Sequence, residues 1–175
     1  MLAATEKALS FADICMNITL RSAIDADAAR VASILIDTRA AFMPYAPSAH
    51  TDAEVREWVA RHLIPTGGVS VAEIAGDVCA AMAFEVKDGV SWLMQMAVDP
   101  SRVGRGIGSV LIARAMQILA PPIRLYTFQA NVGARRFYER HGFVAIEFTD
   151  GQDNEERCPD VLYELLYERR LRVET

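Results

Sequence analysis

The chain has 175 residues, a length typical of one domain, and 52% of them are hydrophobic. Its 18 Lys and Arg residues against 23 Asp and Glu residues give a formal net charge of −5. This excess of acid argues against a non-specific nucleic-acid-binding protein, because such proteins present a basic surface to the phosphates. A charged fraction of only 23% also argues against an intrinsically disordered chain.

The sequence shows no pattern typical of a membrane span, a secretory signal or a metal site. The unbroken apolar stretch at 78–84 is far shorter than the roughly 20 residues of a membrane helix. The three cysteines, Cys15, Cys79 and Cys158, lie far apart and form no CxxC pair, which predicts neither a disulfide framework nor a zinc site. We therefore expect a cytoplasmic protein that binds no metal and no membrane.

The first elements are predicted from short patterns. Residues 1–15 show no periodicity, and we expect a mobile lead-in there before a single domain over residues 16–175. The alternation of Ile18 and Leu20 with polar neighbours predicts a strand over 17–21.

Two helices should follow this strand. Helical spacing of apolar residues predicts the first over 25–41, and two prolines then require an extended loop over 43–50. Thr51 and Glu54 have the spacing of a capping box, so the second helix should begin there.

The rest of the chain alternates strands and helices. Strands are predicted over 69–74, 78–86, 90–98, 123–128, 143–149 and 161–167, and helices over 107–119 and 131–141. The order β-α-α-β-β-β-α-β-α-β-β indicates an α/β protein of the mixed α+β kind. Its sheet should have about seven strands, with about four helices on its faces.

A glycine-rich segment, Gly104-Arg105-Gly106-Ile107-Gly108, lies between a predicted strand and a predicted helix. Glycines let backbone N–H groups approach a ligand, and a helix N-terminus concentrates unpaired N–H groups, so the segment predicts a phosphate site. The alternative is a strand-to-helix turn without a ligand. A Walker loop does not fit because the segment lacks the required lysine. A dinucleotide fingerprint does not fit because Ser109 stands three residues after Gly106, where that pattern requires its third glycine.

A second motif lies on one face of the predicted helix over 131–141. Ala134, Arg135 and Tyr138 follow Asn131 by three, four and seven residues, the spacing of one helical face. The alternatives are that Asn131 is only a helix N-cap and that Tyr138 is only a core aromatic. His141 is expected to be a helix-terminal residue, favourable to the helix dipole.

Together the two motifs resemble those of the GNAT superfamily of N-acetyltransferases. The resemblance rests on Val98-Asp99-Pro100, on the glycine-rich segment, and on the pattern Asn131-x-x-Ala134-x-x-Phe137-Tyr138-Glu139-Arg140-x-Gly142-Phe143. It implies a splayed, mostly antiparallel sheet and acetyl-CoA as the cofactor. It also implies transfer of the acetyl group to a primary amine of a small molecule or peptide, by direct attack in a ternary complex.

The resemblance assigns roles to particular residues. Tyr138 is the expected general acid for the departing thiolate, and Glu85 is a candidate base whose alternative is a solvent-facing strand residue. The expected cofactor-binding residues are Met96, Ala97, Val98, Arg102, Val103, Gly104, Arg105, Gly106, Ile107, Gly108, Ser109, Asn131, Ala134, Arg135 and Tyr138. Val103 departs from the family pattern, which usually carries Gln or Arg at this position.

The amine acceptor should bind beside the loop over 43–50 and the loop over 150–160. The residues expected to contact it are Tyr45, His50, Gln95, Phe128 and Gln129. The second loop holds five acids against one arginine, and this acidic rim should attract a cationic amine, unless it is only a solvated turn.

An acetyl-CoA-dependent N-acetyltransferase is therefore the leading hypothesis, and the resemblance further implies a homodimer. The alternative is a non-catalytic acyl-CoA-binding regulatory module, which Val103 and the lack of a carboxylate on the strand over 90–98 favour. We expect no nucleic-acid partner in either case.

Overall fold

The computed structural model describes residues 18–167. The predicted lead-in over 1–15 lies outside these residues, as does the C-terminal tail from residue 168 onward. Within the described part of the chain, no helix is long and apolar enough to cross a membrane.

The order of elements is the predicted one. The strands are β1 (Ile18–Ser22), β2 (Val69–Ile74), β3 (Asp77–Lys87), β4 (Val90–Val98), β5 (Ile123–Phe128), β6 (Val144–Phe148) and β7 (Asp160–Leu165). The helices are α1 (Ala28–Phe42), α2 (Asp52–Trp58), α3 (Ile107–Ile118) and α4 (Val132–Arg140).

The first helix begins later than predicted because residues 25–27 form a separate 3₁₀ turn. The carboxylate of Asp27 accepts a hydrogen bond from the Ile24 N–H at 2.8 Å and a second from Arg21 at 2.6 Å. These bonds hold the pKa of Asp27 below its ordinary value, with the Arg21 contact as the largest cause. The entry to α1 is thus pinned to β1.

The capping box at the start of α2 is confirmed. The Thr51 N–H donates to the Glu54 carboxylate at 2.7 Å, and the Glu54 N–H donates to the Thr51 hydroxyl at 3.3 Å. After Trp58 the chain widens into a π turn and then a 3₁₀ turn. This continuation buries Val59 and Leu63 and leaves Trp58 exposed.

Tight turns join β2, β3 and β4 into an antiparallel meander. The first turn lies at Ala75 and Gly76 and the second at Asp88 and Gly89; all four residues have positive φ. Two consecutive positive φ values match the right-handed twist of the strands that such hairpins connect.

The seven-stranded sheet of the described residues has the order β1-β2-β3-β4-β5-β7-β6. Neighbours are antiparallel except β4 and β5, which run parallel and pair only at Ser91 with Ile123 and Trp92 with Arg124. Met94 is an extra residue in β4, because Leu93 pairs with Phe84 while Gln95 already pairs with Ala83. Beyond Trp92, β4 therefore separates from β5.

The two helix pairs cover opposite faces of the sheet. Val31 and Ile34 of α1 and Val59 after α2 pack on β2, β3 and β4, whereas Leu111 and Ile112 of α3 pack on the other face. The second core also includes Tyr138 of α4 and reaches β5 and β7. Ile112 is buried in this core, whereas Val110 and Ile118 of the same helix are only half-buried.

Candidate active site

The glycine-rich segment forms an open N-terminus for α3. Gly104 and Gly106 have φ values of 81° and 82°, a conformation that side chains other than glycine rarely adopt. The Val110 N–H makes the first helical bond, to the Gly106 carbonyl at 3.1 Å. The amides of residues 107–109 therefore have no acceptor within the helix, and a Cβ placed on Gly104 would meet no atom within 4 Å.

Asp99 anchors the chain where β4 leads into this segment. One carboxylate oxygen accepts from the Ser101 N–H at 2.9 Å and from its hydroxyl at 2.6 Å, and the other pairs with Arg30 at 2.5 Å. The bonds from Ser101, followed by that from Arg30, lower the pKa of Asp99 to about 2. An Asp-Pro-Ser run is a helix-start signature, so its sequence carried a signal for this anchor.

The two arginines near the segment have different surroundings. Arg102 forms an ion pair with Asp77 at the start of β3. Arg105 is exposed and has no ion pair with any described residue. Arg105 is therefore the cation in this segment that is free to meet an anion.

Contacts between α3 and α4 bring the two sequence motifs together. A Cβ on Gly108 would lie 3.1 Å from the Phe137 ring, so glycine permits the close approach of the helices. His141 bridges them, with Nδ1 2.8 Å from the Phe137 carbonyl oxygen and Nε2 3.0 Å from the Ser109 hydroxyl. We predicted His141 only as a helix-terminal residue; its contact with Ser109 needs a tertiary structure to be seen.

Asn131 is the N-cap of α4. Its side-chain oxygen accepts a hydrogen bond from the Ala134 N–H at 3.1 Å, so the alternative role considered from the sequence is present. Arg135 turns toward β7, where it donates to the Tyr163 hydroxyl at 3.2 Å and to the Gln129 carbonyl at 3.3 Å. The Arg135 side chain is thus hydrogen-bonded to other residues of the protein. Ala134 packs against the core that contains α3.

Tyr138 is buried among aromatic rings. It makes edge contacts with Phe137 and Phe143 and a tilted contact with Tyr163. Its hydroxyl makes no hydrogen bond to a described residue, and its oxygen is not fully enclosed. Burial raises the pKa of Tyr138 above its ordinary value of 10, so the phenol keeps its proton at neutral pH.

The α1–α2 side of the sheet carries the candidate base, Glu85, and three of the residues predicted to contact the acceptor. Glu85 and Gln95 are exposed, and Glu85 lies across the sheet from Trp92. The rings of Tyr45 and Phe128 meet edge to face at 6.3 Å. Gln95 and Phe128 lie beyond the last pair of β4 with β5 and so flank the separation of these strands, whereas Glu85 lies where β4 and β5 still pair.

The remaining predicted contacts lie in a framework of loops. His50 is 3.0 Å from Glu155, and Arg39 pairs with Glu156 at 3.0 Å. Gln129 donates to the Thr149 carbonyl oxygen at 2.8 Å, which makes it a clamp on the β6–β7 loop. Two of the five acids of this loop, Glu155 and Glu156, thus contact His50 and Arg39.

Comparison with known proteins decides the family. A family model described as "Acetyltransferase (GNAT) family" matches residues 35–143, which is more than half of the chain. The chain belongs to the GNAT acetyltransferase family. No curated protein matches its sequence.

Solved structures share the fold at low sequence identity. A GNAT acetyltransferase from Bacillus cereus is 16% identical with a TM-score of 0.69, over 87% of this chain and 99% of that one. The PaiA N-acetyltransferase of Thermoplasma acidophilum in complex with coenzyme A is 15% identical with a TM-score of 0.69, over 86% and 99%. Naa50 of Arabidopsis thaliana, in complex with the bisubstrate analogue CoA-Ac-MVNAL, is 18% identical with a TM-score of 0.64, over 86% and 99%.

GNAT proteins are acetyltransferases that use acetyl-CoA, and this chain has groups that suit that molecule. The open amides at the start of α3 and the free Arg105 suit its phosphates. On the side that faces β5, β4 beyond Trp92 pairs with no strand among residues 18–167, and its backbone there suits an amide-containing arm. Acetyl-CoA therefore fits the residues present.

Proposed function

We propose that the protein transfers the acetyl group of acetyl-CoA to a primary amine of a small molecule or peptide, in a ternary complex. The observation that carries the proposal is the separation of β4 from β5 beside the open N-terminus of α3. The free hydroxyl of Tyr138, on the helix packed against α3, adds a proton donor to this arrangement.

Acetyl-CoA supplies an acetyl group activated as a thioester. The amides of residues 107–109 and the guanidinium of Arg105 bind its phosphates, and the backbone of Met96 and Ala97 binds its arm. The Val98 carbonyl accepts a hydrogen bond from the Thr38 hydroxyl at 3.1 Å, so that group already has a partner in the fold.

Tyr138 holds the proton that the leaving sulfur takes. Its phenol oxygen carries that proton at neutral pH because burial disfavours the phenolate. On the amine side, Glu85 accepts the proton that the attacking nitrogen loses; a fraction of the amine is also unprotonated at neutral pH and needs no base.

Other parts of the proposal concern the state of the protein. The thiols of Cys79 and Cys158 are free, which suits the reducing cytoplasm. A homodimer is supported by β6, an edge strand on which Val144, Ile146 and Phe148 are exposed.

Replacing Tyr138 by Phe tests the assignment of the proton donor. We expect turnover in a thiol-release assay to fall by about 10²- to 10⁴-fold, because a positioned general acid contributes that much. Calorimetry should find the affinity for coenzyme A nearly unchanged, since the ring and its packing remain. An equal loss of affinity would contradict the division of roles.

The matched control is Tyr163→Phe. The Tyr163 hydroxyl donates to Glu139 at 2.8 Å and accepts from Arg135 at 3.2 Å, so its removal costs stability. We expect turnover of this variant to remain within about threefold of wild type, because its hydroxyl is already bonded within the fold.

The alternative function is a non-catalytic acyl-CoA-binding module. Val103, which is exposed, and the absence of a carboxylate on β4 favour it. Tight binding of coenzyme A without thiol release over a broad panel of amines would support the module and reject the proposed transferase.

A further inference from the structure

An uncovered row of aromatic side chains lies on the α1–α2 face of the sheet. Leu93 points into the core under α3 and α4, so its neighbour Trp92 lies on the other face, that of α1 and α2. Trp92 pairs with Arg124 of β5, so Arg124 and every second residue after it lie on this face as well. They include Tyr126, whose ring stacks on Trp92 with centroids 5.9 Å apart and planes 8° apart. Phe128 continues the row. The cores that α1 and α2 build end at β4, so these helices leave the row open.

A cavity of about 510 Å³ begins at this stack. Its volume lies within the range of small-molecule sites. Its lining residues come from β3, β4, β5 and the turn between the first two: Glu85, Lys87, Asp88, Val90, Trp92, Leu93, Met94, Arg124 and Tyr126. Met94 is the extra residue of β4, so the cavity reaches the place where β4 leaves β5.

The fold does not bury the apolar surface of this cavity. Met94 and Tyr126 are each 51% exposed, although both lie on central strands of the sheet. Contiguous exposed apolar surface beside a cavity is typical of a binding site.

The charges at the cavity rim favour a cation. Arg124 is neutralised by Glu164, whose carboxylate lies 2.7 Å from its Nε. Glu85 and Asp88 then face the single cation Lys87, which leaves an excess of one negative charge. The faces of aromatic rings also attract organic ammonium groups.

We propose that the acceptor is a small arylalkylamine whose ring lies against Trp92 and Tyr126. This inference rests on the proposed function and narrows its substrate class. The ring takes the apolar wall, and the short alkyl link lets the amino group reach the separation of β4 and β5 beyond Met94. Glu85 on β3 pairs with Trp92 on β4, so its carboxylate lies on the same face of the sheet as the proposed site of the cation.

The kinetic test compares three amines. We expect kcat/KM for 2-phenylethylamine to exceed that for putrescine at least tenfold and that for 2-cyclohexylethylamine about threefold, because putrescine has no apolar group and cyclohexane has no aromatic face. Trp92→Leu and Tyr126→Leu should each lower the value for 2-phenylethylamine about tenfold and leave the KM for acetyl-CoA unchanged.

The matched control is Trp58→Leu. Trp58 is also an exposed tryptophan, but it lies on α2 and does not line the cavity. We expect this variant to retain the wild-type preference among the three amines.

Binding without turnover supplies an independent measurement. The chain has 2 tryptophans, so Trp58→Phe leaves Trp92 as the single tryptophan reporter. We expect 2-phenylethylamine to change the fluorescence of Trp92 with saturation, while putrescine at the same concentration does not. This experiment keeps the cavity intact and does not depend on the folding of the leucine variants.

The outcomes separate the two proposals. Three results would overturn this inference and leave the proposed transferase intact. Thiol release could show no preference for the aromatic amine, it could be fastest with putrescine, or it could occur only with a peptide amine. An unchanged Trp92 fluorescence would also overturn it. Absence of thiol release with all amines, despite bound coenzyme A, would instead reject the proposed function.

Discussion

Asp99 shows how one carboxylate positions the start of the glycine-rich segment. It joins Arg30 of α1 to Ser101 just before the glycines, and Arg30 also donates to the Val78 carbonyl at 2.8 Å. The anchor therefore ties one helix, one strand and one loop to a single charged group. Removing the charge would leave half-buried Arg30 with only the more distant carboxylate of Asp77, 4.0 Å from its Nε.

We predict that Asp99→Asn lowers the free energy of unfolding by about 1–2 kcal/mol at pH 7. Because the folded pKa is depressed to about 2, the contribution of Asp99 is fully present above the ordinary value of 3.8 and is lost as pH falls through about 2. Urea unfolding at a series of pH values measures the difference between the variant and wild type.

Asp37→Asn is the control for this prediction. Asp37 is exposed on α1, and its replacement should change the unfolding free energy by no more than about 0.5 kcal/mol at pH 7. A difference for Asp99→Asn that grows toward acid pH would contradict the assignment.

At the scale of elements, the β6–β7 loop depends on one glycine. Gly151 has a φ of 80°, and a Cβ placed there would lie 2.2 Å from the backbone of Cys158 and 2.7 Å from the nitrogen of Pro159. Gly76 has the same φ of 80° in the β2–β3 turn, but a Cβ there would meet no atom within 4 Å. Substitution at Gly76 therefore measures the cost of backbone strain alone, and substitution at Gly151 measures that cost together with the cost of the steric contact.

We predict that Gly151→Ala lowers the unfolding free energy by about 3 kcal/mol, because the loop must open to relieve the contact. Gly76→Ala should cost only about 1 kcal/mol, the cost of the strained backbone alone. Thermal or urea unfolding measures both. Equal losses in the two variants would mean that contact with Cys158 contributes nothing.

Elements with strong local signals were predicted closely from the sequence. The bounds of β2, β4 and β5 are the predicted ones, because turn residues flank regular apolar runs. The capping box at Thr51 was equally clear. The π turn that leaves Trp58 exposed was not predictable, because it depends on the packing of Val59 and Leu63 against β2 and β3.

The candidate site was predictable only in part. The two motifs identified the glycine segment and the Tyr138 helix, since their residues are local in sequence. The contact of His141 with Ser109 and the turn of Arg135 toward Tyr163 were not, because each joins elements from different parts of the chain. The stack of Trp92 on Tyr126 depends on the parallel pairing of β4 with β5.

At the scale of the whole molecule, a few ion pairs join distant segments. Arg39 of α1 pairs with Glu156 of the β6–β7 loop at 3.0 Å and also donates to the Pro47 carbonyl at 2.7 Å. Both charged side chains are about three-quarters buried, with 25% and 22% exposed. This contact links the loop after α1 to the far side of the cleft.

We predict a coupling energy of about 1 kcal/mol between Arg39 and Glu156 in a double-mutant cycle of Arg39→Met and Glu156→Gln. The pair is less exposed than Arg61 and Glu57, which lie 3.2 Å apart on the surface and serve as the control. Urea unfolding of the four proteins in each cycle measures the coupling. No coupling for Arg39 with Glu156 would mean that the loops are joined by their backbone contacts alone.

The separation of β4 from β5 leaves an opening through the sheet that connects its two faces. Acetyl-CoA has its proposed site toward α3 and α4 on one face, and the amine has its proposed site in the cavity on the other. Each partner then has its own entrance, and neither must leave before the other arrives. From these two proposed sites we predict random order of binding and direct transfer of the acetyl group, with no acetylated enzyme intermediate.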